Sequence, residues 1–221
     1  MDTLEIDSVL LAYGQKRILS DVYLRCQTGQ TVGILGRNGS GKSSLLKVIF
    51  GALKAENQSL RINGQYFEKP FLGGNRISYL SQEAFTPTYL TFSKLLDVFR
   101  INPERREFLE DLPEVRQYLH DTLGNLSHGL RKYFEALLLL CTPTQFTLLD
   151  EPFSFLSPVL TEDLKVHIQN LKEQKGIIIT DHQYANVLSC TDNCYLIKDG
   201  RTIPVGNKDD LIQYGYLSGL N

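Results

Sequence analysis

Residues Gly36 to Ser43 read Gly-Arg-Asn-Gly-Ser-Gly-Lys-Ser, a glycine-spaced run that ends in a lysine and a hydroxyl. It fits the pattern Gly-x-x-x-x-Gly-Lys-Ser/Thr, in which glycines let the backbone curl until its N–H groups converge on phosphate oxygens. The chemistry implied is the handling of a nucleoside triphosphate. Lys42 is placed to bridge the β- and γ-phosphates, and Ser43 to ligate magnesium. Gly36, Arg37, Asn38, Gly39, Ser40, Gly41, Lys42, Ser43 and Ser44 are therefore candidate nucleotide contacts. At ordinary residue frequencies a chain of this length shows the pattern by chance about once in a hundred. The apolar stretch Thr31 to Leu35 before it and the helical stretch after it lower that further.

A second set of residues carries acid–base and ligand chemistry. Phe146-Thr-Leu-Leu-Asp150-Glu151 puts two acids at the end of a buried strand, where open α/β sheets bind ligands. Asp150 can hold the magnesium shell and Glu151 can polarise an attacking water. His182 follows Asp181 at another strand end, where its imidazole can donate to a γ-phosphate. Gln82, ending Ile77-Ser-Tyr-Leu-Ser-Gln, can ligate magnesium through its amide oxygen. Ser127 stands just before Gly129 and the apolar helix Leu130 to Leu140, where a serine cap and free backbone N–H groups make a further anion site. The chain has a helix N-terminus at its own phosphate loop already, so this surplus one points to an intermolecular ligand; an ordinary helix cap is the plain alternative.

These residues need strands to bring them together. Leu4 to Tyr13 and Arg17 to Leu24 are predicted as two strands of an antiparallel layer, joined around Gly14-Gln15. Strands are expected at Ser59 to Ile62, Arg76 to Leu80, Phe146 to Leu149 and Ile177 to Thr180, and a last hairpin at Tyr195 to Ile197 and Thr202 to Val205 turns at Asp199-Gly200. Apolar strands alternating with helices predict an α/β fold with a mainly parallel sheet covered on both faces. Parallel order brings the loop, Asp150-Glu151 and Asp181-His182 to one rim. From residue 83 to about residue 125 the pattern turns polar and helical, with Thr91 to Phe99 at helical spacing, Pro103 and Pro113 at helix starts, and a break expected at Glu110-Asp111. This reads as a helical subdomain, 83–125, inserted into a single nucleotide-binding domain formed by 1–82 and 126–221, with the next helix starting from about residue 127. A helix from Pro158 to about Lys172 completes the set.

The 221 residues suffice for one larger α/β domain, and 23 basic against 25 acidic residues leave no extended polycation for nucleic acid. Four cysteines without paired spacing fit a reduced, cytosolic chain. No apolar run approaches the ~20 residues that span a bilayer, so service to a membrane is expected through a partner.

The pieces, in this order, resemble the nucleotide-binding domains of ABC transporters over essentially the whole chain. The likeness rests on aromatic Tyr13, the phosphate loop Gly36 to Ser43, Gln82, the signature-like Leu126-Ser-His-Gly-Leu130, the strand Phe146 to Asp150, Glu151 and His182. It implies a P-loop ATPase core with an antiparallel β layer and a helical insert, binding ATP and Mg2+. It further implies that Tyr13 stacks on adenine, that Ser127 and Gly129 complete the ATP site of a second nucleotide-binding domain in a head-to-tail homodimer or heterodimer, and that Lys42, Gln82, Glu151 and His182 serve hydrolysis. Ser43, Gln82 and Asp150 are the implied metal ligands. Transmembrane transporter subunits are the implied partners, contacted by Gln82 and the insert at the inner face of the cell membrane.

The chain also departs from the family. The signature usually reads Leu-Ser-Gly-Gly-Gln, so His128 adds bulk beside a phosphate and Leu130 removes an amide; Ser157-Pro158 stands where an acid is usual. These departures motivate the alternative of a nucleotide-gated clamp or assembly factor with low turnover. A role on ribosomes or DNA is disfavoured, because such members usually carry tandem cassettes or long insertions.

Overall fold

Alternation of buried Leu4, Ile6, Val9 and Leu11 with exposed neighbours makes β1 (Thr3–Tyr13) one long strand, kinked where Ser8 takes a φ of 57° and the register shifts. The computed structural model describes residues 1–72 and 74–218. The predicted second strand, Arg17 to Leu24, is instead two: β2 (Lys16–Leu19) pairs with the end of β1 and β3 (Leu24–Gln27) with its start. The physical reason lies between them. There the main chain leaves β1 to bond the C-terminal hairpin, with Ser20 N donating to Gly200 O (2.9 Å) and Tyr23 N to the Thr202 hydroxyl (2.9 Å).

The nucleotide core follows as β4 (Thr31–Leu35), α1 (Lys42–Phe50), β5 (Asn57–Ile62), β6 (Gln65–Tyr66) and β7 (Ile77–Leu80). The short β6 was not expected; Asn63 and Gly64, at φ 53° and 78°, make the turn that returns it onto β5. Next come α2 (Phe92–Val98), α3 (Pro103–Asp111), α4 (Pro113–Tyr118) and α5 (His128–Cys141). The break expected at Glu110-Asp111 falls one residue later, at Leu112, because Pro113 forbids helical ψ to its predecessor; Glu110 stays helical and pairs with Arg106 at 2.8 Å. The chain closes with β8 (Phe146–Asp150), α6 (Pro158–Leu171), β9 (Gly176–Thr180), α7 (Tyr184–Cys190), β10 (Asn193–Lys198), β11 (Arg201–Val205) and α8 (Lys208–Gln213). Helices α7 and α8 were not anticipated.

Two sheets result. The larger has the order β11-β10-β4-β9-β8-β7, parallel except for β11; the smaller runs β2-β1-β5-β6, with β3 also on β1. Strands β4, β8 and β9 are buried at every position, which is why they read as continuous apolar runs. Side-chain alternation divides them between two cores. Leu148 and Ile178 pack toward α1 and the antiparallel layer, whereas Leu149, Ile177 and Ile179 pack toward α5, α6 and the small helices. No helix among the described residues is long and apolar enough to cross a membrane.

Lys175 is buried beneath this sheet at 1% exposure, with Nζ near the carbonyls of Thr142 (2.7 Å) and Leu139 (3.3 Å) and the hydroxyls of Thr147 (3.1 Å) and Thr144 (3.3 Å). Burial, aided by the Arg105 charge, lowers its pKa to about 7. The unfolded chain keeps that proton up to about pH 10.4, so between the two values folding releases it and stability from this group rises with pH. The margin of wild type over Lys175→Met is expected to grow by up to about 1.4 kcal/mol per pH unit in that window. Urea unfolding of both proteins at pH 7 and pH 9 measures it, and an unchanged margin would refute it.

The four cysteines, Cys26, Cys141, Cys190 and Cys194, are all free and buried. Burial pushes the thiols of Cys26, Cys190 and Cys194 up to about 12, and raises that of Cys141 as well.

Candidate functional site

Adjacency of β4, β9 and β8 places the loop after β4, Asp181-His182 after β9 and Asp150-Glu151 at the end of β8 along one rim. Gly39 and Gly41 take φ of 77° and 103°, the left-handed region that glycine enters without penalty. A side chain at Gly36 would collide with Ser40 Oγ. The first turn of α1 has neither a side-chain cap nor an acid, so its N–H groups face the loop. Lys42, 6% exposed, folds back with Nζ on Gly36 O (2.8 Å) and Arg37 O (3.5 Å). Burial lowers its pKa, opposed by the charges of Glu151, Asp150 and Asp181. Ser40 Oγ is buried without a partner among the described residues. An uncapped helix start, a cation resting on its own loop and an orphaned hydroxyl together fit a phosphate group.

Asp150 is fully buried and its carboxylate accepts three hydrogen bonds: Oδ1 from Ser43 Oγ (3.0 Å) and Thr180 Oγ1 (2.6 Å), and Oδ2 from the Tyr79 hydroxyl (3.0 Å). Burial and the Asp150 charge raise the Tyr79 phenol, which keeps it a donor. Ser43 and Asp150 thus bring two hard oxygen donors into contact. No group of three His, Cys, Asp or Glu among the described residues forms a metal cage.

Glu151 adopts φ 50°, a left-handed conformation unusual for a non-glycine residue, fixed by its N–H donating to Thr180 O at 2.8 Å. Its Oε2 accepts from Gln82 Nε2 (3.2 Å) and Ser154 Oγ (3.3 Å) and lies 3.7 Å from His182 Nδ1. His182 is half exposed and 3.4 Å from Asp181 Oδ1. Asp181 itself is buried and anchored by the N–H groups of Gln183 (2.9 Å) and Phe153 (3.2 Å). Burial raises the pKa of Asp181.

A cavity of about 670 Å³ unites Tyr13, Asn38, Lys42, Ser43, Ser44, Gln82, Glu151 and His182. The Tyr13 hydroxyl stands 3.3 Å from Ser44 Oγ, and its ring is half exposed. The Arg37 guanidinium turns out of this cavity and donates to Gly215 O (2.9 Å) in the C-terminal segment, while its main chain stays in the loop.

Ser127 and Gly129 lie outside the cavity. Ser127 Oγ caps α5 by accepting from Leu130 N (3.2 Å), and a Cβ on Gly129 would overlap the Phe155 carbonyl oxygen. His128 stacks on Phe155, ring centroids 4.5 Å apart and planes at 18°. Phe155 takes φ 66° and remains 71% exposed. Ser157 caps α6 through Leu160 N (3.3 Å), with Pro158 at the first helical position.

Sequence reasoning missed Tyr79, Thr180, Ser154 and Lys132. The last is a 1% exposed lysine of α5 that donates to three main-chain carbonyls behind Gln82 and Asp150. Only proximity to Gln82 and Asp181 in the chain could have flagged Tyr79 and Thr180; nothing local distinguishes Lys132.

Known proteins resemble the chain over most of its length. The family model described as ABC transporter matches residues 19–154. The lipopolysaccharide export system ATP-binding protein LptB of Escherichia coli (strain K12) is 30% identical over 226 residues, covering 96% of this chain and 94% of that protein. LptB of Haemophilus influenzae is 29% identical over 225 residues, covering 96% and 93%. Among solved structures, a nucleotide-free ATP-binding cassette from an ABC transporter superposes with a TM-score of 0.82 at 23% identity, covering 99% of this chain and 96% of that one.

Proposed function

The chain belongs to the ABC transporter family, and on that premise we propose that it binds ATP with magnesium in the cavity beside Tyr13 and hydrolyses it as a paired subunit that drives transmembrane partners. The observation that carries the reading is the convergence of Lys42, Ser43, Gln82, Glu151 and His182 on that one cavity, with Asp150 bonded to Ser43 beneath it.

Tyr13 offers its ring to adenine, and Lys42 exchanges the carbonyls of Gly36 and Arg37 for phosphate oxygens. Ser43, Asp150 and Gln82 would hold magnesium, which when bound would supply positive charge to offset that developing on the phosphates. Glu151 takes a proton from the attacking water once Gln82 and Ser154 release its Oε2. His182, steadied by Asp181 on its Nδ1 side, presents its other nitrogen to the γ-phosphate.

Ser127 and Gly129 lie outside the cavity that holds their own chain's phosphate loop, which supports a role in the site of a second copy. The insert 83–125 acts as a helical subdomain, and the neighbouring groove of about 620 Å³, lined by Gln82, Thr88, Leu126, Arg131 and Phe155, receives the transmembrane subunit. The chain then works at the cytoplasmic face of the membrane through that partner.

Size-exclusion chromatography with light scattering on Glu151→Gln is expected to give a dimer with magnesium and ATP and a monomer with ADP. A persistent monomer would exclude self-pairing. A dimer beside a wild-type protein with no ATPase rate would favour the nucleotide-gated clamp.

A further inference from the structure

Lys132 sits on the buried face of α5, five positions after the Ser127 cap, and is almost wholly covered. Its Nζ donates to Ser81 O (2.6 Å), Gln82 O (3.0 Å) and Asp150 O (3.3 Å). An ammonium has three protons, and all three are used on neutral main-chain carbonyls. Burial lowers the pKa of this lysine; the carboxylates of Glu135, Asp150, Glu151 and Asp181 oppose the shift. Its acceptors are informative because of what they carry. Gln82 O belongs to the residue whose side chain holds Glu151 Oε2, and Asp150 O lies in the peptide that leads into Glu151.

We propose that Lys132 is a positioning residue that ties the nucleotide-sensing residues Gln82 and Glu151 to the helix bearing Ser127 and Gly129, so that rearrangement at the γ-phosphate moves the start of α5. The proposal rests on the functional reading of Gln82 and Glu151 given above. If Gln82 parts from Glu151 to free the base, its main chain shifts relative to β8. The ammonium has its two shorter bonds on that segment and its longest on Asp150 O, so it follows the segment, gives up Asp150 O and carries α5 along. The same helix is fixed on its other side by Gly129 against the Phe155 carbonyl and by the His128–Phe155 stack. Movement at α5 therefore reaches the exposed turn that contains Phe155. Hydrophobic packing alone would let α5 slide past the Gln82 segment; the two hydrogen bonds to Ser81 O and Gln82 O resist that sliding.

The test compares Lys132→Met with its parent, both in a Glu151→Gln background that retains ATP, using hydrogen exchange with magnesium and ATP at a concentration where light scattering shows a monomer. In the parent, ATP is expected to slow exchange at least threefold at both 82–83 and 128–134. In Lys132→Met the slowing should persist at 82–83 and vanish at 128–134. ATP affinity, read with a fluorescent analogue, should stay within threefold, while ATP-dependent dimerisation weakens at least tenfold. Lys132→Gln, which keeps two amide donors, should fall between the two and serves if the methionine variant does not fold. Retained slowing at 128–134 in the variant, absence of it in the parent, or affinity and dimerisation falling in step would overturn the proposal. Failure of the broader reading is seen separately, as an absence of ATP hydrolysis by the protein with Glu151 intact.

Discussion

Glu151→Gln is expected to lower ATP hydrolysis by at least about a hundredfold, the scale on which a positioned general base contributes, while leaving ATP affinity within about threefold. The amide keeps the size of the carboxylate and can stay beside Gln82 and Ser154, so the cavity is preserved. What it loses is the ability to accept a proton from water. Glu151 is the suitable base because of how it is held. A left-handed backbone at φ 50° aims it away from the buried Asp150, its N–H is fixed on Thr180 O, and 85% of its side chain is covered, in contrast to the half-exposed His182. Such backbone strain persists where the surroundings over-determine it, and it accompanies functional positions. Steady-state hydrolysis and equilibrium ATP binding on the same preparations provide the measurement. A variant that hydrolyses as fast as the wild type would remove Glu151 from the role of base and pass it to His182.

Gly129→Ala is the second large effect. The added Cβ would lie inside the contact radius of the Phe155 carbonyl oxygen and against its carbonyl carbon, both main-chain atoms that cannot rotate aside. Either α5 or the turn at Phe155 must move. Overpacking of this kind typically costs about 1–3 kcal/mol, which in a chain of this size lowers Tm by roughly 2–12 °C. The displacement falls where Ser127 is proposed to meet the partner's ATP, so ATP-dependent dimerisation should weaken at least tenfold. Differential scanning calorimetry and light scattering read the two effects. An alanine variant with wild-type Tm would show that the Gly129–Phe155 approach is not tight in solution.

What could be read in the sequence follows from the range of the interactions involved. The phosphate loop was legible because its glycine spacing is itself the local geometry, and Phe146 to Asp150 because burial on both faces leaves an unbroken apolar run. The rim followed from these. The split of Arg17 to Leu24 was hidden, because Ser20 and Tyr23 leave β1 for partners in the C-terminal hairpin, which no local pattern encodes. Tyr79, Thr180 and Lys132 were hidden for the same reason: each is an ordinary strand or helix residue until the fold brings it to Asp150. The stacking of His128 on Phe155 was hidden too, because Phe155 carried no signal of its own. Arg37 belonged to the motif by position, yet its side chain answers to Gly215 O, far along the chain.

The burial of every thiol gives the molecule a built-in recorder of its own opening. Alkylating reagents attack the thiolate, and buried thiols whose pKa is pushed up to about 12 present almost none at neutral pH. The four sites are distributed: Cys26 in the antiparallel layer, Cys141 at the end of α5, Cys190 at the end of α7 and Cys194 in β10. The order in which they become labelled is therefore a map of which part of the fold breathes first. A single cysteine engineered on the surface can carry a probe without first removing the native four.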